Sequence, residues 1–124
     1  MTPDDFISLV KHLAPSVTVK SVLDSVQFRL GGKTFATVGW PEAGWAVVKV
    51  NPARQAQVLS ASEALAPEPG RRRRAGIILV RLGGVDAGVA GDVLAEALIW
   101  AQKSDRRLAR GPRAVVENAE RAAA

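Results

Sequence analysis

Four adjacent arginines, Arg71, Arg72, Arg73 and Arg74, stand directly before an apolar run, Ile77-Ile78-Leu79-Val80. A guanidinium carries a fixed fork of donors that matches phosphate geometry, so this run is the sharpest chemical feature in the chain. A loop joining two strands could lay it along a nucleic-acid backbone. Arg29 and Lys33 flank a second turn and could add a contact there, and Arg106 and Arg107 add positive charge near the C-terminus. The competing reading is that adjacent arginines repel one another, stay solvated and guard an aggregation-prone strand. No aromatic residue interleaves with Arg71–Arg74 and the chain has no tyrosine, so the sequence does not indicate a base-stacking platform.

The other chemistries are thin. There is no cysteine, hence no disulfide, thiolate ligand or thiol nucleophile. His12 is the single histidine, so a transition-metal cluster lacks a second nitrogen ligand; beside Lys11 it reads as a cation at a helix C-terminus. Asp4-Asp5 and Asp86 sit where helix-start acids are expected, and no carboxylate pair converges by spacing. Gly83-Gly84-Val85-Asp86-Ala87-Gly88 lies between a strand and a helix but lacks the phosphate-loop pattern, and Asp86 would repel a phosphate. It reads as a turn. We therefore expect no enzyme activity, no cofactor and no metal.

Charge is unevenly placed along the chain. Through residue 70, Lys11, Lys20, Arg29, Lys33, Lys49 and Arg54 cancel Asp4, Asp5, Asp24, Glu42, Glu63 and Glu68. Residues 71–124 therefore hold the whole net charge of +5, which suits an acidic partner such as DNA or RNA. No apolar stretch approaches the ~20 residues of a membrane helix. The opening MTPDDF carries acids where a secretory signal would carry bases. The chain reads as cytoplasmic and bacterial in style.

These residues need elements to position them. Thr2-Pro3-Asp4-Asp5 predicts a capped helix start, with Phe6, Leu9, Val10 and Leu13 on one face and Pro15 as the stop. Val26–Leu30 and Lys33–Val38 around Gly31-Gly32 predict a tight hairpin, because both turn residues need positive φ. Counting outward places Leu30 opposite Lys33 and Phe28 opposite Phe35. A strand follows from Trp45 to Val50, then a short helix capped by Asn51. Ala64 to Pro69 is at best an edge strand, because proline interrupts it. Ile77–Leu82 is apolar on both sides, as a central strand would be. Asp86 then caps a last helix reaching about Leu108. If Val48, Val50, Ile78 and Val80 face the helices, Trp45, Val47, Ile77 and Leu79 face away. Such a patch fits a homodimer or a protein partner, the alternative to nucleic acid.

The pattern is α+β: a two-layer arrangement in which helices cover an antiparallel sheet. Residues 1–108 form one domain, and 109–124 read as a tail, loosely helical or disordered.

Phe28-Arg29-Leu30-Gly31-Gly32-Lys33-Thr34-Phe35-Ala36 resembles the "F-R-V-x-G-K-x-F-A" hairpin of the MmcQ/YjbR family of small bacterial proteins. Val48-Lys49-Val50 resembles its "L-K-V" strand. Ala75-Gly76-Ile77 to Leu82 with Val85-Asp86 is similar to its "G-W-x-x-V-x-L…V-D", and Trp100 with Arg106-Arg107-Leu108 to its terminal "A-W…K-R-L". Ile77 stands where the family often has tryptophan. The resemblance implies an α-β(3)-α-β(2)-α order and a small DNA-binding protein with no established catalytic residues.

Overall fold

The computed structural model describes residues 1–68 and 76–109, with side chains through Lys103. The chain runs α1 (Pro3–Leu13), β1 (Thr18–Val22), β2 (Ser25–Leu30), β3 (Lys33–Val38), β4 (Trp45–Lys49), a 3-10 turn (Pro52–Arg54), α2 (Gln55–Leu59), β5 (Leu65–Pro67), β6 (Ile77–Arg81) and α3 (Ala87–Ala109). The strands form one antiparallel sheet in the order β1-β2-β3-β4-β6-β5. The fold is α+β in two layers, with one more strand, Thr18–Val22, than the sequence suggested. Residues 110–124, most of the expected tail, lie outside the described residues.

The helix starts follow from their caps. Thr2 Oγ1 accepts the Asp5 amide at 3.1 Å, and Asp5 Oδ2 accepts the Thr2 amide at 3.0 Å. This reciprocal box satisfies two donors that the first turn leaves unpaired. Hydrogen bonds to the Asp5 carboxyl from Thr2, its backbone amide first and its side chain second, hold that group below its usual range. Asp86 Oδ1 accepts from the Val89 amide at 2.8 Å and starts α3. Asn51 Oδ1 likewise accepts from the Ala53 amide at 3.0 Å.

Register decides the faces. Phe28, Ala36, Val48 and Ile78 lie in one row across β2, β3, β4 and β6, and Val26, Val38, Ala46 and Val80 in the next. Directly opposed residues share a face, so both rows point to the helices. All three helices meet them in a single core cluster, where Phe28, Val48, Ile78 and Leu94 are fully buried.

The expected opposition of Phe28 and Phe35 is replaced by a bulge. Leu30 faces Lys33 and Arg29 faces Thr34, but Phe28 faces Ala36, leaving Phe35 as the extra residue. An alanine opposite Phe28 leaves room for its ring under the helices, and a bulge is how a strand re-aims its side chains. The turn itself is as expected: Gly31 and Gly32 have φ of 60° and 83°.

Gly76 has φ of 80°, and its carbonyl accepts the Val50 amide at 2.9 Å. A β-carbon there would stand 2.0 Å from the Val50 carbonyl oxygen. Only glycine fits where β6 begins against the end of β4.

Candidate nucleic-acid interface

An antiparallel chain reverses at alternating ends of its sheet, and this sorts the charges. The β2–β3 turn, the start of β1, the end of β4, the end of β5 and the start of β6 all lie at one end. The β1–β2, β3–β4 and β6–α3 connections lie at the other. The start of α1 belongs with that second end, since Met1 and Asp5 line a shallow cavity with Val85, Asp86 and Ala87. Both long helices therefore run towards the first end.

The consequence is a polarised molecule. Asp4, Asp5, Asp24, Glu42, Glu63 and Asp86 gather at the second end, where Arg81 is the basic side chain among the described residues. Lys11, His12, Lys33, Lys49, Arg54 and Lys103 gather at the first, together with one buried acid, Glu68. Arg54 is neutralised there: its guanidinium donates to both carboxylate oxygens of Glu96, with Nη2 to Oε2 at 2.9 Å. Lys33 and Lys49 come together from neighbouring strands around a small cavity of about 40 Å³ shared with Phe35 and Trp100.

The residues expected to touch nucleic acid fare differently. Lys33 is exposed at the hairpin of the basic end. Arg29 is half-buried on the outer sheet face, where Nη2 donates to Gln27 Oε1 at 3.3 Å and Nε is shielded without a partner. It therefore lies on the outer sheet face and not at the exposed tip of the hairpin. Arg71, Arg72, Arg73 and Arg74 all lie outside the described residues, so the structure assigns none of them a contact. The chain enters that segment from Glu68 and leaves it at Gly76, both at the basic end. Arg106 and Arg107 lie on the last turns of α3, at the same end, with their side chains outside the described set. Lys49 and Lys103 were not singled out from sequence. Lys49 had a readable signal: it shares the strand parity of Trp45 and Val47 and hence their face.

The register places Trp45, Val47, Ile77 and Leu79 on the outer face, away from the helices. Ile77 is buried and the other three are half-buried. Between β2, β3, β4 and β6 this face holds a groove of about 300 Å³. Val47, Ile77 and Trp40 line it, Gln27, Thr34, Thr37 and Lys49 supply polar groups, and the buried Glu68 borders it. Trp40 is 47% exposed. The sequence pointed to no aromatic here, because Trp40 follows β3 in the chain and only the fold returns it over the sheet.

No family model and no curated protein matches the sequence. A crystal structure of a protein from Pseudomonas syringae is similar. The TM-score is 0.61 at 16% identity, covering 78% of this chain and 96% of that one. The likeness is one of fold.

Among the described residues no group of three or more histidines, cysteines and acids could hold a metal ion, and His12 is exposed. The glycine-rich stretch after β6 is a 3-10 turn (Leu82–Gly84), with the Arg81 guanidinium packed against Gly84. No helix among the described residues is long and apolar enough to cross a membrane.

Proposed function

We propose that this protein binds nucleic acid non-enzymatically, weakly and with little sequence preference, through the basic end of its sheet. The observation that carries the reading is the separation of charge between the two ends. Such a field steers a polyanion to one end and turns the acidic end away. Phosphate contacts supply affinity without sequence information. The resemblance to the MmcQ/YjbR family points the same way, and the chain enters and leaves the segment that contains Arg71–Arg74 at this end.

The test is a salt titration of binding to labelled random oligonucleotides, with wild type beside Lys33→Ala/Lys49→Ala/Lys103→Ala and beside alanine at Arg71–Arg74. Each lost phosphate contact makes the log–log salt slope shallower by about 0.7 for single strands and about 0.9 for duplex. The lysine variant should therefore lose about 2 to 3 units. Absence of wild-type binding at about 50 mM salt, where such contacts are tightest, overturns the reading.

A second reading rests on Trp45, Val47 and Leu79, which are half-buried on a face that none of the described helices covers. A homodimer or protein partner there would be seen by light scattering as a mass that falls on Trp45→Lys.

A further inference from the structure

We propose that the groove on the outer sheet face receives one unstacked base of a single-stranded nucleic acid, with Trp40 as its stacking partner. The inference rests on the nucleic-acid reading and gives it a substrate form. The groove, about 300 Å³, has room for one base, and the apolar Val47 and Ile77 line it together with the exposed Trp40. A base presents a π-face to such surfaces whatever its identity. Gln27, Thr34 and Thr37 line the same groove and offer donors and acceptors to a base edge.

The charges set the direction of the strand. Lys49 lines the groove at the basic end and meets Lys33 across β3 and β4. Trp40 lies in the β3–β4 connection and Lys49 at the far end of β4, so a strand with one base on Trp40 runs along the groove to reach Lys49. The neighbouring nucleotides of such a strand meet the lysines of the basic end.

Strand form follows from relative cost. In a duplex both faces of a base are already stacked, and extruding it costs about as much as one stacking contact returns. A single strand has no such cost. One base–aromatic contact is worth about a 5- to 150-fold gain in affinity.

The experiment compares three probes by fluorescence anisotropy at fixed low salt: a thymidine 12-mer, an abasic 12-mer with the same phosphates, and a 12-bp duplex; a uridine 12-mer distinguishes RNA from DNA. Wild type should bind the thymidine strand at least fivefold more tightly than the abasic strand or the duplex. Trp40→Ala should abolish that preference, and Trp40→Phe should restore most of it. Equal binding of thymidine and abasic strands overturns the base slot and leaves the phosphate reading intact. Duplex binding as tight as single-strand binding also overturns it. No binding of any probe removes both. The abasic comparison uses wild type alone, so it decides the matter even if Trp40→Ala fails to fold.

Discussion

Replacing Gly76 by alanine tests how tightly β6 is held against the end of β4, and a matched control exists. Gly44 has φ of 87° and Gly76 has φ of 80°, but a β-carbon on Gly44 meets nothing within 4 Å. Gly44→Ala therefore reports the cost of a left-handed alanine alone, about 1–2 kcal/mol. Gly76→Ala adds a β-carbon 2.0 Å from the Val50 carbonyl oxygen and 3.2 Å from the Pro52 nitrogen. Both contacts are backbone, so no side-chain rotation relieves them. The Val50 peptide must retreat, and with it goes the 2.9 Å bond from the Val50 amide to the Gly76 carbonyl. Both residues are buried, so water does not replace that bond. Its loss costs a further ~1–3 kcal/mol. The expected total is about 2–5 kcal/mol, against about 5–15 kcal/mol for the whole stability of a typical domain. Urea unfolding followed by tryptophan fluorescence measures both variants. If their losses agree within about 0.5 kcal/mol, the close approach of β6 to β4 is not a constraint and the reasoning fails.

Leu94 is fully buried among the core residues, so Leu94→Ala should cost about 2–5 kcal/mol by urea unfolding. Arg54 and Glu96 form a forked but solvent-accessible pair; a double-mutant cycle should give a coupling below about 1 kcal/mol that fades in high salt. Thr2→Ala removes the acceptor for the Asp5 amide and should cost about 1 kcal/mol. Asp5 is held below its ordinary range by its bonds to Thr2, so its ionised form stabilises the fold above the unfolded pKa. That contribution falls away as pH drops through the folded value; wild type should lose stability relative to Asp5→Asn on acidification below about pH 4.

The helix caps and the Gly31-Gly32 turn were legible because each is a local arrangement of few residues. β1 was not, because its burial is that of an exposed edge: Thr18, Lys20 and Val22 share one face, and Val19 and Ser21 the other. Neither face is apolar, so the alternation that reveals a half-buried strand is missing. The bulge at Phe35 was hidden for a different reason. Counting from the turn gives a consistent polarity for Phe28 and Phe35, and only the volume of two rings in one row under the helices argues against it. The outer face was read correctly as a parity set, Trp45, Val47, Ile77 and Leu79. The groove on it was not, because Trp40 reaches it only through the fold.

The charge separation lies between these cases. In sequence, Asp4, Asp5, Asp24, Glu42, Glu63 and Asp86 look scattered among Lys11, Lys33, Lys49 and Lys103. Once the strands alternate in direction, every other reversal belongs to the same end, and the scatter becomes two sets. Helix dipoles account for part of this, since acids favour helix starts and cations helix ends. They cover Asp4, Asp5 and Asp86, and Lys11, His12 and Lys103. They do not cover Asp24, Glu42 and Glu63 in the connections of one end, nor Lys33 and Lys49 on the strands of the other. Nothing in the packing of an exposed turn requires its charge to match that of a turn four strands away. A fold requirement would have spent these charges on caps and pairs, as Arg54 and Glu96 are spent. The surplus is what a polyanion arriving at one end would read.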